Sequence, residues 1–392
     1  MRTILLGDLF ADRVQGLNPG QYPGETFELW SIPAFDAGKP EMVLGSEIGS
    51  TKKCLQPGDV LLSKIVPHIR RSWVVGQDVG CRQIGSGEWL VFRGNEFAPE
   101  YLRHVLTSDK FHSRFMGTVA GVGGSLLRAR PDAVKQLEIP LPPLGEQRRI
   151  AAILDQADAL RRKRREAIQQ LDALHNSLFE QMFGHPLRNE MGWPITLFGD
   201  LLTDIEGGWS PTCLDRPAQD NEWGVLKLGA VTYGRFDDCA QKALPEGVEP
   251  RRHLEVREGD LLFTRKNTYE LVAACALVRQ TRPRLLMPDL IFRLRLADPV
   301  RSHPEFVHAL LSHPAKRAEV QSLASGAAGS MPNISKARLR TVPICLPPPE
   351  LQLRFGEAVE KLELMRSRAV EHLAHLDALF ASLQHRAFRG EL

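Results

Sequence analysis

The side chains best placed for chemistry in this sequence are basic and amide groups at the ends of apolar runs. Lys64 closes the run GDVLLSK and is followed by His68, Arg70 and Arg71; Arg265, Lys266 and Asn267 follow the run GDLLFT directly. Arginine can grip guanine O6 and N7 with two N–H groups, asparagine can do the same for adenine, and both cations can meet phosphate. Such residues leaving a strand suit contact with duplex DNA, although solvated loop charges have the same composition. Two Gly/Ser segments add to the set. Gly121-Val-Gly-Gly-Ser125 and Gly326-Ala-Ala-Gly-Ser330 could present backbone N–H groups to a phosphate or form plain turns. The alanines of the second segment argue against a nucleotide loop. The candidate DNA contacts are therefore Lys64, His68, Arg70, Arg71, Ser125, Arg265, Lys266, Asn267, Ser330 and Asn333.

Catalytic constellations are missing from the sequence. Gly45-Ser-Glu-Ile-Gly49-Ser-Thr has the glycines of a phosphate loop but no lysine before its hydroxyl residue. No HExxH, paired CxxC or GxSxG occurs, nor an acidic-Pro-Pro-aromatic or Pro-Cys methyltransferase motif. The six cysteines are scattered, which suggests reduced thiols rather than a disulfide or zinc framework. Fifty basic against 47 acidic residues leave a net charge of +3, so a polyanion must be met by local patches. No apolar stretch reaches spanning length, and Gly7 and Asp8 interrupt the first apolar run, so the expected setting is the cytoplasm, with no membrane partner.

The elements that must position these groups are written twice. IPLPPLGEQRRI at 139–150 matches ICLPPPELQLRF at 344–355, an offset of 205, and LDAL recurs at 171–174 and 376–379 with the same offset. Upstream, PGDVLLSK at 57–64 matches EGDLLFTR at 258–265, and ILLGDLFAD at 4–12 matches TLFGDLLTD at 196–204. Residues 1–184 and 193–392 therefore read as two copies of one design. Each copy has a variable mixed α and β part and then a long helix. Strands are expected at Asp59–Val66, Ser72–Val75 and Trp89–Arg93, and at Trp223–Leu228, Asp260–Thr264, Leu271–Val278 and Leu290–Leu294. Short helices are expected near 100–117 and 305–324.

The long helices begin after Pro142-Pro143 and Pro347–Pro349 and end at Gly184 and Gly390. With Ile150 at heptad position a, a seam runs through Ile153, Ala157, Leu160, Leu171, Leu174 and Leu178. Its counterpart runs through Phe355, Ala358, Leu362, Met365, Leu376, Leu379 and Leu383. This pattern predicts an antiparallel coiled coil about 60 Å long. Packing of each helix on its own globular part is the alternative. The basic run Arg161–Arg165 falls on a solvated or partner-facing helix face.

Taken together, GDVLLSK/GDLLFTRKN, the Gly/Ser segments and the repeated LPPLGEQRRIAAILDQADALRRKRREAI region resemble the specificity subunits of type I restriction–modification enzymes, over essentially the whole chain. The resemblance implies an α+β fold with two target-recognition domains, 1–143 and 196–348. It also implies two coiled-coil spacer helices, 144–184 and 349–390, and a hinge at 185–195. The implied function is to read a split, asymmetric double-stranded DNA target without catalysis. Two modification (methyltransferase) subunits would dock on the helices, and restriction subunits would join them. This chain would need no cofactor; S-adenosylmethionine, Mg²⁺ and ATP would belong to the partners. A coiled-coil adaptor whose globular ends bind proteins is the other reading. In the second helix Leu351-Gln352 stands where Glu146-Gln147 stands in the first, which puts equal docking at the two sites in question.

Overall fold

A computed structural model describes residues 2–11, 13–121, 127–325 and 331–392. The chain forms two compact units, one from residues 1–165 with 371–392 and the other from 166–370. Both combine small sheets with helices. No helix among the described residues is long and apolar enough to cross a membrane.

In the first unit, Val60–Ser63 lies between Ser72–Val74 and Trp89–Phe92, antiparallel to both. All four residues of the central strand are buried, as its unbroken apolar run requires. Beside it is a five-stranded sheet in the order Gly16–Leu17, Lys52–Cys54, Gln83–Gly85, Thr26–Trp30, Glu41–Leu44. None of its strands is among those expected, because most are two to four residues long and several are polar. The expected helical stretch is two helices, Pro99–Leu106 and Asp109–Met116. Ser108 separates them, its hydroxyl accepting the Phe111 amide. Their inner faces meet Leu6, Val60, Leu62 and Phe92 in one core.

The second unit follows the same plan with different detail. Its main sheet has the order Leu202–Gly207, Ile291–Leu296, Leu261–Thr264, Cys275–Leu277, all antiparallel. A three-stranded sheet, Gln241–Ala243, Gly224–Leu226, Leu285–Leu286, holds a second cluster around Val231 and Met287. Helices Pro304–Ser312 and Pro314–Ser322 cover the main sheet, contributing Phe306, Leu310 and Val320 to its core.

Two long helices, Leu144–Phe183 and Pro349–Ala387, complete the chain. Within the first unit they run in opposite directions, since Arg149 reaches the Leu392 carbonyl while Arg161 reaches Asp377. Within the second unit Asp172 meets Arg366 and Phe183 packs on Phe355, giving the same sense. The heptad seam needs correction. Leu160, Leu174, Met365 and Leu379, assigned to it, are each about half exposed. Seam residues Ile150 and Phe355 do turn inward, but into the globular cores: Ile150 with Ala151 and Leu154 beside Tyr101 and Leu102, and Phe355 with Phe179, Phe183 and Val359 in the second unit. Packing against a globular core follows the 3.6-residue helical period, and a strict 3.5-residue frame drifts from it by about 20° per heptad.

Candidate nucleic-acid interface

The repeated Gly-Asp pair before each central strand is a structural device. Gly58 and Gly259 take φ of +85° and +86°, a left-handed conformation that glycine adopts without strain. The turn aims the following carboxylate backward: Asp59 accepts the Gln56 amide, and Asp260 the Arg257 amide, each at 2.9 Å. Each aspartate also holds a buried or half-buried arginine from the neighbouring strand. Arg93 grips Asp59 with two bonds of 2.6 Å. Arg293, fully buried, divides its guanidinium among Asp260, Glu206 and the carbonyls of His253 and Glu255. Charge-assisted bonds of this kind fix the strand that follows.

Each strand then leaves its sheet beside the segment that follows the Gly/Ser loop. In the first unit Ala129 N–H donates to the Lys64 carbonyl at 2.8 Å, and Val66 N–H to Leu127 at 3.2 Å. In the second, Ile334 N–H donates to the Arg265 carbonyl at 2.8 Å, and Lys266 faces Asn333 across an isolated bridge. The two exits thus have the same backbone pattern.

Their side chains differ. Arg265 Nε donates to Asn333 Oδ1 at 3.2 Å, and its guanidinium lies 5.2 Å from the Phe292 ring centre. Among the described residues no carboxylate pairs with Arg265 or Lys266. Lys64 is held loosely by Glu88 at 3.7 Å, a carboxylate it shares with Arg128 at 3.1 Å. Behind them Lys53 donates to the Trp89 carbonyl at 2.7 Å, and burial, reinforced by Lys64, lowers its ammonium pKa.

The other candidates fall into three groups. His68 and Arg70 are exposed, with Arg70 bound to Asp109 at 2.6 Å and to the Thr107 carbonyl. Arg71 and Asn267 are buried and occupied within the protein, so neither is presented at the surface. Arg71 makes a two-bond pair with Asp36 at 2.7 and 2.8 Å. Asn267 donates to Thr232 Oγ1 and accepts the Thr268 amide. Ser125 and Ser330 lie outside the described residues. Elsewhere, Arg279 grips Glu305 and Arg161 grips Asp377, so sequence clusters of arginine overstate the free positive charge.

Residues 90–170, from the third strand of the first unit's sheet into the first long helix, match the family described as "Type I restriction modification DNA specificity domain". That stretch carries the pattern of a type I DNA specificity domain. It is 33% identical over 177 residues to the type I restriction enzyme EcoEI specificity subunit of Escherichia coli, covering 45% of this chain and 30% of that one. It is 27% identical over 336 residues to the EcoKI specificity subunit of E. coli strain K12, covering 78% of this chain and 67% of that one. The chain therefore spans less than a third of the first relative and about two thirds of the second. In fold it is similar to the type I restriction–modification S subunit of M. genitalium, with TM-score 0.58, 13% identity and coverage of 99% and 96%. It is also similar to a chain from a structure of type I R-M system assembly, with TM-score 0.56, 22% identity and coverage of 100% and 98%.

The specificity-domain match contains a residue that the sequence reading did not single out. Gln147 is buried, and its amide accepts from Ala98 N–H while donating to the Glu96 and Pro142 carbonyls. Gln352 does the same with His303, Arg301 and Pro347. The identical glutamine in LPPLGEQ and PPPELQ, despite the lost glutamate, was the available signal. In this chain the glutamines fix each long helix to the loop before its unit's first covering helix. Asp237, Asp238 and Cys239 bring three possible metal-ligand atoms together, but only at the surface.

Proposed function

We propose that this chain is the DNA-recognition subunit of a type I restriction–modification complex. Each unit is a target-recognition domain, and the two are repeats of one design that read different halves of an asymmetric bipartite site. The observation that carries this reading is the pair of equivalent strand exits. One carries Arg265 and Lys266, which have no carboxylate partner among the described residues, and the other carries Lys64, His68 and Arg70. Cations at such positions neutralise phosphates, and an arginine can take guanine in two bonds. Because the side chains at the two exits differ, the half-sites differ.

The long helices act as a coiled-coil spacer and as the dock for two modification subunits, which restriction subunits then join. The half-exposed Leu160, Leu174, Leu364, Met365 and Leu379 support this, since apolar side chains along a helix face are suited to burial by a partner. In this reading the chain works in the cytoplasm and performs no catalysis. S-adenosylmethionine, Mg²⁺ and ATP are bound by its partners. The test is selection of bound duplexes from a randomised pool by the chain assembled with its modification subunits. A gapped, non-palindromic consensus whose binding weakens with salt is expected. Binding without sequence preference would refute the proposal.

A further inference from the structure

The loop that follows Arg265 and Lys266 is held more firmly than its exposure would require. Asn267 ties its start to Thr232, and Thr268 accepts the amides of Leu271 and Val272. From the covering helix, Gln321 Nε2 donates to the carbonyls of Tyr269, Glu270 and Val272 at 3.1, 3.3 and 3.1 Å. Arg317 Nη2 donates to those of Glu270 and Val272 at 3.1 and 3.4 Å. Among the described residues Arg317 has no carboxylate partner, and burial lowers its pKa. A half-buried guanidinium committed to carbonyls alone is an expensive way to hold a loop. At the end of Ala273, where φ is +62°, the chain re-enters the sheet.

The rigid tip carries Tyr269, 59% exposed, which makes no hydrogen bond or ring contact through its side chain among the described residues. The equivalent position in the first unit, four residues beyond Lys64 as Tyr269 is beyond Arg265, is His68. Among the described residues that loop has no such clamp on its carbonyls; its anchor is Arg70 on Asp109 and Thr107.

We infer that Tyr269 is a base-reading residue of the second unit, its ring packing against one base step of that unit's half-site, with Arg317 and Gln321 as the positioning residues. The inference rests on the DNA-recognition reading above. A tyrosine has few torsions to freeze, and a loop already fixed avoids an ordering cost on binding. In this reading the ring, three to four residues beyond two cations that meet no carboxylate among the described residues, sits where a phosphate-anchored loop meets the groove. There an apolar face can pack on a thymine methyl or wedge a step that unstacks easily. Ring packing needs no hydroxyl.

The experiment compares wild type, Tyr269→Ala, Tyr269→Phe and Arg317→Gln, each assembled with the modification subunits, in selection from a random duplex pool. Binding is then measured to the selected and to unrelated DNA. Tyr269→Ala should lose roughly ten-fold in affinity for the selected site, lose little on unrelated DNA, and relax one or two adjacent positions in one half-site. Tyr269→Phe should behave as wild type. Arg317→Gln should relax the same positions in part, with thermal melting confirming that it folds. An unchanged consensus and affinity for Tyr269→Ala, equal weakening on all DNA, or a Phe variant as poor as Ala would each overturn ring packing. Unaltered selectivity in Arg317→Gln would overturn the positioning role. Failure of the wild-type assembly to select any sequence would instead overturn the DNA-recognition reading itself.

Discussion

Gln147 Oε1 accepts the backbone N–H of Ala98 at 2.8 Å, across 49 residues of sequence. With its two donated bonds the side chain is saturated inside the protein, as is that of Gln352 opposite His303. Alanine at either position would leave three backbone groups, buried or part-buried, without their side-chain partner. Each substitution should lower stability by at least ~2 kcal/mol, read from the urea midpoint at constant slope. Glu146→Leu, which copies the second helix, should leave the midpoint unchanged, because Glu146 is half-exposed and among the described residues its ion pair is with Arg149, itself half-exposed.

Arg71 and Arg265 should separate cleanly. Arg71→Ala breaks the two-bond pair between buried Arg71 and half-exposed Asp36 and should cost about 1–2 kcal/mol of stability with no change in base preference. Arg265→Ala should leave melting nearly unchanged, weaken binding to the selected duplex by about 1–3 kcal/mol and relax one base position. Parallel melting and pool selection decide the matter; loss of base choice in the Arg71 variant would reverse the assignment.

Acid should destabilise the protein below neutrality. Burial pushes the His308 imidazole down to about 3, with Nε2–H donating to the Gly234 carbonyl. Burial also lowers the pKa of His104 and His175. The unfolded chain takes up these protons near pH 6.5 and the folded chain does not. The contribution of neutral His308 is therefore full above about 6.5 and is lost progressively as pH falls towards 3. Urea midpoints should drop between pH 7.5 and 5, and His308→Gln should flatten that slope. An equal slope in the variant would assign the effect to other groups.

The half-exposed apolar residues of the long helices should matter to assembly alone. Lysine at Leu160 and Leu379 should leave melting unchanged and reduce co-purification with the modification subunits, because the change puts charge on a face that would be covered. Undiminished co-purification would place the dock elsewhere.

Exchange of residues 196–340 for those of a relative keeps Gln352 and both long helices in place. It should alter one half of the selected DNA consensus and leave the other intact. A change in both halves would mean that the units do not read independently.

Buried strands with unbroken apolar runs, such as Val60–Ser63 and Leu261–Thr264, were legible in the sequence, as were the two long helices and their doubling. Lys52–Cys54 and Gln83–Gly85 were not, because two or three residues of mixed polarity have no detectable period and pair only through partners distant in sequence. The basic candidates show the same limit. Nothing near Arg71 announces Asp36, 35 residues earlier, and Asn267 is filled by Thr232 at the same separation. Arg265 and Lys266 follow their strand directly but are only half-exposed. Apolar residues were placed on the right helices, but the frame of 3.5 residues put Leu160 inside and left Leu154 unassigned.

The first unit is built from two stretches of chain separated by the whole of the second, with Ala387 in the same core as Ile150 and Tyr101. During synthesis this has a temporal consequence. Residues 166–370 are contiguous and can close their core as soon as they emerge, whereas the first unit, made earlier, waits for its final helix. At about 5–20 residues per second the delay is on the order of 10–40 s. Through that interval Tyr101, Ile150 and Leu154 lack part of their cover, a surface that chaperones or a premature partner could engage. The unit made earlier is thus the later to mature, and a product truncated in the second unit would expose its defect in the first rather than at its broken end.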